Sequence, residues 1–155
     1  MSRVLMVDIG GVIMSHTKVG DFYPPLPDVF SVLARLKNEL FGENIFLVSS
    51  GDIAFRIQIY EWLKNYSFPH ATGIPLPNTH FGYKRSEKTR ICLELKVTHA
   101  IDDRRETLMH LHQAGIKNLY HFQGREDEDG KFLSVVPFIK HVASWQEVAK
   151  ELLGS

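Results

Sequence analysis

RVLMVDIGGVIM, residues 3–14, joins a short apolar run to one acid and then to two glycines. The run from Val4 to Val7 has the length and composition of a buried β-strand, and it ends at Asp8. Gly10 and Gly11 allow a sharp turn directly after the strand and let backbone amides face an anion. This stretch therefore predicts a strand of a parallel sheet that places a single carboxylate at the edge of the sheet.

The rest of the chain alternates predicted strands with predicted helices. Strands are expected at 3–8, 44–49, 71–74, 98–101 and 118–122, and helices at 28–40, 52–66, 86–95, 106–114 and 144–153. Segment 68–83 holds three prolines and two glycines, and apart from the short strand at 71–74 it is expected to be a long loop. Alternation of this kind is typical of a parallel sheet with helices on both faces. We expect a single domain over residues 1–155, a Rossmann-like three-layer α/β/α sandwich with a mostly parallel sheet of about five strands.

Local signals predict how several helices begin and which faces they bury. Asp28 and Ser86 are expected N-caps, and Ser144 with Glu147 is expected to form a capping box. The helix at 52–66 is expected to bury a stripe formed by Ile53, Ile57, Tyr60 and Leu63.

The composition restricts the class of protein. Lysine plus arginine and aspartate plus glutamate number 18 each, so the chain lacks the strong positive charge of a dedicated nucleic-acid binder, although a local basic surface is compatible with it. The single cysteine, Cys92, excludes an intrachain disulfide, and we expect it to be buried and inert in a reducing compartment. Val4–Val7 is too short for a signal or membrane segment, so we expect a cytoplasmic protein without a membrane partner.

Candidate site residues follow three of the predicted strands. The first strand ends at Asp8, the second at Ser49, and the fourth at Asp102 and Asp103. Ligands of open parallel sheets bind beyond the carboxyl ends of the strands, so these side chains are expected to share one edge. Three carboxylates at close range repel one another unless a cation lies between them. Oxygen ligands of this kind suit Mg²⁺, which also accepts phosphate oxygens as ligands, and the sequence therefore predicts a magnesium site at this edge.

Four stretches together resemble the motifs of the haloacid dehalogenase superfamily of phosphohydrolases. They are DIGGVI at 8–13, FLVSS at 46–50, EKTRI at 87–91 and AIDDR at 100–104, in the order and spacing of that family over nearly the whole chain. The stretch AIDDRRETLMHLHQAG at 100–115 looks especially like the phosphatase half of phage-type polynucleotide kinase-phosphatases. The resemblance implies a phosphatase fold of the haloacid dehalogenase type.

The resemblance also implies a role for each matching residue. Asp8 is expected to be the nucleophile that forms an aspartyl-phosphate, and Ser49 to donate a hydrogen bond to the phosphoryl group. Lys88 is expected to neutralise charge between the nucleophile and the phosphoryl oxygens, with Lys84 as the competing lysine. The implied Mg²⁺ ligands are Asp8, the backbone carbonyl of Gly10, Asp102 and Asp103. The further expected phosphate-binding positions are Gly10, Gly11, Ser50, Gly51 and Lys84, and Ser50 competes with Ser49.

Gly10 departs from the family pattern. Relatives usually carry a second aspartate there, which protonates the leaving group and then activates water. General acid–base help of this kind is worth roughly 10²–10⁴-fold, so we expect slow turnover, most of all for poor leaving groups. A catalytically silent domain that binds a phosphorylated ligand or partner is the alternative, and a different hydrolase of the dehalogenase or phosphonatase kind is a third hypothesis.

The spacing of the motifs leaves no room for a folded cap domain. We therefore expect an open site that accepts a bulky substrate such as a nucleic-acid end, a phosphoprotein or a sugar phosphate, unless an oligomer covers it. His16 and His80 are expected in loops near the site, where they could touch the substrate. The acidic run GREDEDG at 124–130 is expected to be a solvated turn.

Overall fold

The computed structural model describes residues 2–154, and within them the chain forms one six-stranded sheet. The strands are β1 Leu5–Val7, β2 Ile45–Ser50, β3 Thr79–Gly82, β4 His99–Asp102, β5 Asn118–Phe122 and β6 Lys140–Val142. Their order across the sheet is β3-β2-β1-β4-β5-β6, and all neighbouring strands are parallel. The predicted α/β fold is confirmed, with six strands in place of about five.

Helices cover both faces of this sheet. The described residues form α1 Val29–Leu36, α2 Ile53–Asn65, α3 Phe68–Thr72, α4 Glu87–Glu94, α5 Arg105–Gln113 and α6 Trp145–Leu153. Because successive strand residues point to opposite faces, Leu5 and Val7 pack with α1, α2, α3 and α6, whereas Met6 packs with α4 and α5. The three-layer sandwich is therefore confirmed. Between residues 2 and 154 no inserted cap domain lies over the sheet edge, as the motif spacing predicts.

The centre of the sheet sets up the site. Val7, the last residue of β1, pairs with Leu47 of β2 and Ile101 of β4. One residue further on, the amide of Asp8 donates a hydrogen bond to the carbonyl of Ile101 at 3.0 Å. The carboxyl ends of β2, β1 and β4 therefore lie side by side, so the residues that follow them meet at one edge.

Two edge strands differ from the sequence expectation. The predicted strand at 71–74 is wrong, because Phe68–Thr72 forms a helical turn in which the Thr72 hydroxyl donates to the Phe68 carbonyl at 2.8 Å. The third strand lies further along, at Thr79–Gly82, inside the predicted loop, and pairs with β2. Strand β6 was not predicted, since it is three residues long and buries only Val142.

The helix starts match the predictions in part. Ser144 Oγ accepts a hydrogen bond from the Glu147 amide at 3.2 Å, and Glu147 Oε2 accepts from the Ala143 amide at 3.3 Å, so the predicted capping box is formed with the return bond one residue earlier. Asp28 does not cap α1, because its carboxylate accepts from Gln146 Nε2 at 3.1 Å, and Ser86 makes no side-chain cap either.

The buried face of α2 is rotated from the expected stripe. Ile53 and Ile57 are exposed, whereas Ile59, Trp62 and Leu63 are buried. Trp62 Nε1 donates to a backbone carbonyl of the loop between β1 and α1 at 2.6 Å, which orients the helix. The described helices include none that is both long and apolar enough to cross a bilayer.

Candidate active site

Three carboxylates from two neighbouring strands meet at the edge of the sheet. Asp8 follows β1, Asp102 is the last residue of β4, and Asp103 is the next residue. One carboxylate oxygen of each lies within 4.8 Å of the others, and all three residues are buried. An all-oxygen donor set of this size fits a hard divalent cation such as Mg²⁺.

Lys88 connects two of these acids. It lies in the first turn of α4, is buried, and donates from Nζ to Asp8 Oδ1 at 2.9 Å and to Asp102 Oδ2 at 2.7 Å. The side chain of Lys84 is exposed and is not part of the cavity at the site. Of the two lysines that the sequence left open, the structure therefore brings Lys88 to the acids.

Burial dominates the electrostatics of the cluster. It raises the pKa of Asp8 to about 6, with Lys88 opposing the rise and Asp103 adding to it. Burial and the neighbouring Asp8 likewise raise the pKa of Asp102 to about 6, against the attraction of Lys88. Burial disfavours the ammonium of Lys88, but Asp102 and Asp8 more than compensate and raise its pKa. The lysine therefore stays charged, and the acids retain an excess of negative charge that a bound cation would offset.

A cavity of about 270 Å³ opens onto this cluster. It is lined by Asp8, Gly10, His16, Ser49, Ser50, Phe55, Arg85, Lys88, Asp103, Arg104 and Arg125. Ser49 is buried and Ser50 is half-buried at the end of β2, and both of these competing residues line the cavity. Asp52, two residues after β2, caps α2 by accepting from the Phe55 amide at 2.9 Å.

The glycines contribute differently from the expectation. The Gly11 amide donates to the Met14 carbonyl at 2.7 Å, and the Gly51 amide donates to the Gly82 carbonyl at 2.9 Å. Both amides therefore bond backbone carbonyls, and neither glycine is among the residues that line the cavity, so the phosphate contact of Gly11 and Gly51 stays a prediction. Gly11 has a φ of +80°, and a Cβ there would collide with His16 and Asp103, so only glycine fits. Gly10 lines the cavity as predicted, and as a glycine it supplies no carboxylate of its own there.

His16 and Arg125 both contact the carboxylate of Asp103. His16 Nε2 lies 3.1 Å from Asp103 Oδ2, and Arg125 Nη1 lies 3.1 Å from His16 Nε2 and 3.4 Å from Asp103 Oδ2. His16 thus lies at the site, as the sequence suggested. His80 does not, because it belongs to β3, where its ring packs against Phe46 with 5.7 Å between centroids.

The acidic run at 124–130 is more than a solvated turn. It supplies Arg125 to the cavity, and the buried Glu128 accepts from the amides of Arg105 at 2.7 Å and Glu106 at 3.0 Å, at the start of α5. Sequence reasoning missed this contribution. The signal that could have found it is the position of the run directly after β5, where the strand-end rule places ligand contacts.

Comparison with known proteins places this arrangement in a known fold. No family model matches the chain, and no curated sequence matches it. Among solved structures it is similar to D,D-heptose 1,7-bisphosphate phosphatase from Burkholderia thailandensis, with a TM-score of 0.67 and 14% identity over 99% of this chain and 100% of that one. An uncharacterized protein from Listeria monocytogenes serotype 4b gives a TM-score of 0.66 with 13% identity over 97% of each chain.

A third structure, named as a haloacid dehalogenase-like hydrolase from Burkholderia xenovorans LB400, gives a TM-score of 0.59 with 14% identity. That match covers 81% of this chain and 58% of the other. The chain therefore has the fold of the haloacid dehalogenase-like phosphatases. The predicted resemblance to that superfamily is confirmed at the level of the fold.

Proposed function

We propose that the protein is a Mg²⁺-dependent phosphatase that hydrolyses phosphomonoesters through an aspartyl-phosphate on Asp8. The observation that carries this proposal is the position of the Asp8 carboxylate. It contacts Lys88 at 2.9 Å, has oxygens of Asp102 and Asp103 within 4.8 Å, and lines the cavity. A nucleophile in that position meets positive charge and an open approach for a phosphoryl group.

The residues support two half-reactions. In the first, an oxygen of Asp8 attacks phosphorus, the bond between phosphorus and the substrate oxygen breaks, and the alcohol leaves with a proton from solvent. In the second, water attacks the same phosphorus and gives up a proton to solvent, the bond between phosphorus and Asp8 breaks, and inorganic phosphate leaves. Lys88 holds positive charge beside Asp8 throughout, and the Ser49 and Ser50 hydroxyls can donate to phosphoryl oxygens. Asp8, Asp102 and Asp103 would hold Mg²⁺, which supplies positive charge against both the carboxylates and the phosphate.

The open edge of the sheet leaves room for bulky substrates. Because the described chain has no cap over the cavity, the group that carries the phosphate can project into solvent. Sugar phosphates, phosphoproteins and nucleic-acid ends are all compatible with such an approach. A second copy of the chain could cover the opening in an oligomer.

Hydrolysis of p-nitrophenyl phosphate tests the proposal, because its good leaving group needs little protonation. We expect hydrolysis that requires Mg²⁺, stops with EDTA, and is lost in Asp8→Asn. Asp21→Asn makes the same chemical change at an exposed loop position and should keep full activity. Hydrolysis that persists in Asp8→Asn would contradict the role of Asp8.

The second candidate function is a silent phosphate-binding domain, which Gly10 favours because it leaves the site without the usual acid. Isothermal titration with inorganic phosphate in the presence of Mg²⁺ separates the two functions. Binding without turnover of any aryl phosphate would support the silent domain, whereas Mg²⁺-dependent turnover would exclude it.

A further inference from the structure

Three arginines of the described chain line the mouth of the cavity, although the chain as a whole has no net charge. Arg85 lies between β3 and α4, Arg104 lies between β4 and α5, and Arg125 follows β5. They come from three separate connections that meet around the same opening. Lys88 and the Mg²⁺ ligands already serve the transferred phosphoryl group in the proposed reaction, so these guanidinium groups are additional positive charge.

Asp127, the carboxylate that Arg104 and Arg125 share, can be displaced, whereas the contact of Arg125 Nη1 with the buried Asp103 at 3.4 Å stays in place. Arg104 Nη1 and Arg125 Nε share one carboxylate, that of Asp127, at 3.9 Å and 3.2 Å, and the Asp127 side chain is 59% exposed. Exposed ion pairs of this kind contribute little to stability, so an incoming anion can take the place of the carboxylate. A phosphate group pairs with two guanidinium groups through short, charge-assisted hydrogen bonds.

Arg85, in the connection between β3 and α4, also pairs with a carboxylate that an anion can displace. Its Nη1 donates to Glu106 Oε1 at 2.9 Å, and both side chains are partly exposed at 47% and 31%. Among residues 2–154, the guanidinium at the cavity therefore pairs with one partly solvated acid. It is available to a substrate anion without the loss of a buried contact.

The size of the cavity places the rest of the substrate near these arginines. Its volume of about 270 Å³ is below the roughly 300–1,000 Å³ that encloses a complete small-molecule ligand. A phosphoryl group at Asp8 therefore leaves the remainder of the substrate at the opening. In the absence of a cap among the described residues, groups at this opening are the ones that can select a substrate.

We propose that Arg85, Arg104 and Arg125 form a second anion site, so that the preferred substrates carry a second phosphate group in addition to the one that is hydrolysed. This inference deepens the proposed phosphatase function and rests on it for the identity of the hydrolysed phosphate. The second phosphate displaces Asp127 and Glu106 from the guanidinium groups. It is not itself cleaved.

Two matched pairs of substrates test the second anion site and distinguish a sugar bisphosphate from a nucleotide. Glucose 1,6-bisphosphate is compared with glucose 6-phosphate, and adenosine 3′,5′-bisphosphate with adenosine 3′-phosphate. We expect kcat/KM to be at least about 10-fold higher for the bisphosphate in one pair, because a charge-assisted hydrogen bond is worth about one order of magnitude or more in affinity. Equal kcat/KM within both pairs would overturn the proposal.

Two variants and one control connect the preference to the arginines. Arg104→Gln and Arg85→Gln should each lower the ratio of bisphosphate to monophosphate kcat/KM by about 10-fold. Arg90→Gln makes the same change on α4. Its guanidinium donates to Glu94 and Glu87 and does not line the cavity, so its ratio should stay at the wild-type value. A ratio that is equal in all three variants and the wild type would overturn the proposal, and thermal unfolding of each variant checks that it is folded.

A binding measurement separates failure of this inference from failure of the proposed function. Isothermal titration of Asp8→Asn with both pairs of compounds in Mg²⁺ needs no turnover, and we expect about 10-fold tighter binding of the bisphosphate in at least one pair. Tighter binding without p-nitrophenyl phosphate hydrolysis by the wild type would support the anion site and refute the phosphatase. Hydrolysis together with equal binding within both pairs would refute the anion site and leave the phosphatase in place.

Discussion

Replacing Asp8 by asparagine should abolish activity and, in the same variant, stabilise the metal-free protein. Burial raises the pKa of Asp8 from 3.8 to about 6, so ionisation of this carboxylate lowers the unfolding free energy of the protein. A shift of roughly two pKa units corresponds to about 3 kcal/mol. Asparagine keeps the size of the side chain and removes the charge, so most of this cost should disappear.

The expected stabilisation depends on pH in a defined direction. Below about pH 4 Asp8 is protonated in the folded and the unfolded protein, so the substitution should have little effect there. Between pH 4 and 6 the unfolded chain loses the proton first, and the wild type loses stability relative to the variant. Above pH 6 the full difference of about 3 kcal/mol should be present.

Thermal unfolding in EDTA from pH 4 to pH 8 measures this difference. For a chain of this length about 3 kcal/mol corresponds to an increase in Tm of roughly 6–12 °C, an upper bound because asparagine accepts a weaker hydrogen bond from Lys88. Added Mg²⁺ should raise the Tm of the wild type more than that of the variant, and Asp21→Asn serves as the exposed control. A variant that is no more stable than the wild type at pH 7, or a difference that is the same at pH 4 and pH 7, would refute the reasoning.

Three further substitutions test other contacts of the site. Gly10→Asp is sterically allowed, since a Cβ there would lie 3.6 Å from His16, and it should raise kcat on alkyl phosphates by up to roughly 10²-fold; unchanged kcat on alkyl phosphates would contradict this. Lys88→Met leaves the buried carboxylates of Asp8 and Asp102 without their lysine and should lower the unfolding free energy in EDTA by about 3–5 kcal/mol in urea titrations, with partial recovery in Mg²⁺. Glu128→Gln weakens the bonds to the first amides of α5 and should cost about 1 kcal/mol by the same urea titration, which a variant with wild-type stability would disprove.

The central part of the fold and the acidic cluster could be predicted from local patterns. A continuous apolar run marks β1 as buried on both faces, and the position of an acid directly after such a strand is visible in the sequence. The same reasoning applies to β4 with Asp102 and Asp103. Because parallel strands end at one edge, the meeting of these acids follows from the topology alone. The buried Cys92, whose thiol pKa burial raises to about 12, was also predictable from composition.

Other features depended on contacts between distant parts of the chain. The choice between Lys84 and Lys88 was open because the two lie only four residues apart, before or at the start of the predicted helix. The position at which α4 begins decides which lysine reaches the acids. Glu87 accepts hydrogen bonds from the amides of Tyr83 and Lys84, both at 2.9 Å, and a helix that begins there directs Lys88 toward the sheet. A helix register set by such a cap cannot be read from periodicity over eight residues.

The amino-acid sequence by itself determined the α/β class, the central strands and the acids that follow them, because hydrophobic periodicity and strand ends are local properties. Only the tertiary structure decided the edge strands β3 and β6, the buried face of α2 and the arrival of Arg125 beside Asp103. These features arise when segments far apart in the chain pack or pair. Their free energy comes from partners that no short window of sequence contains.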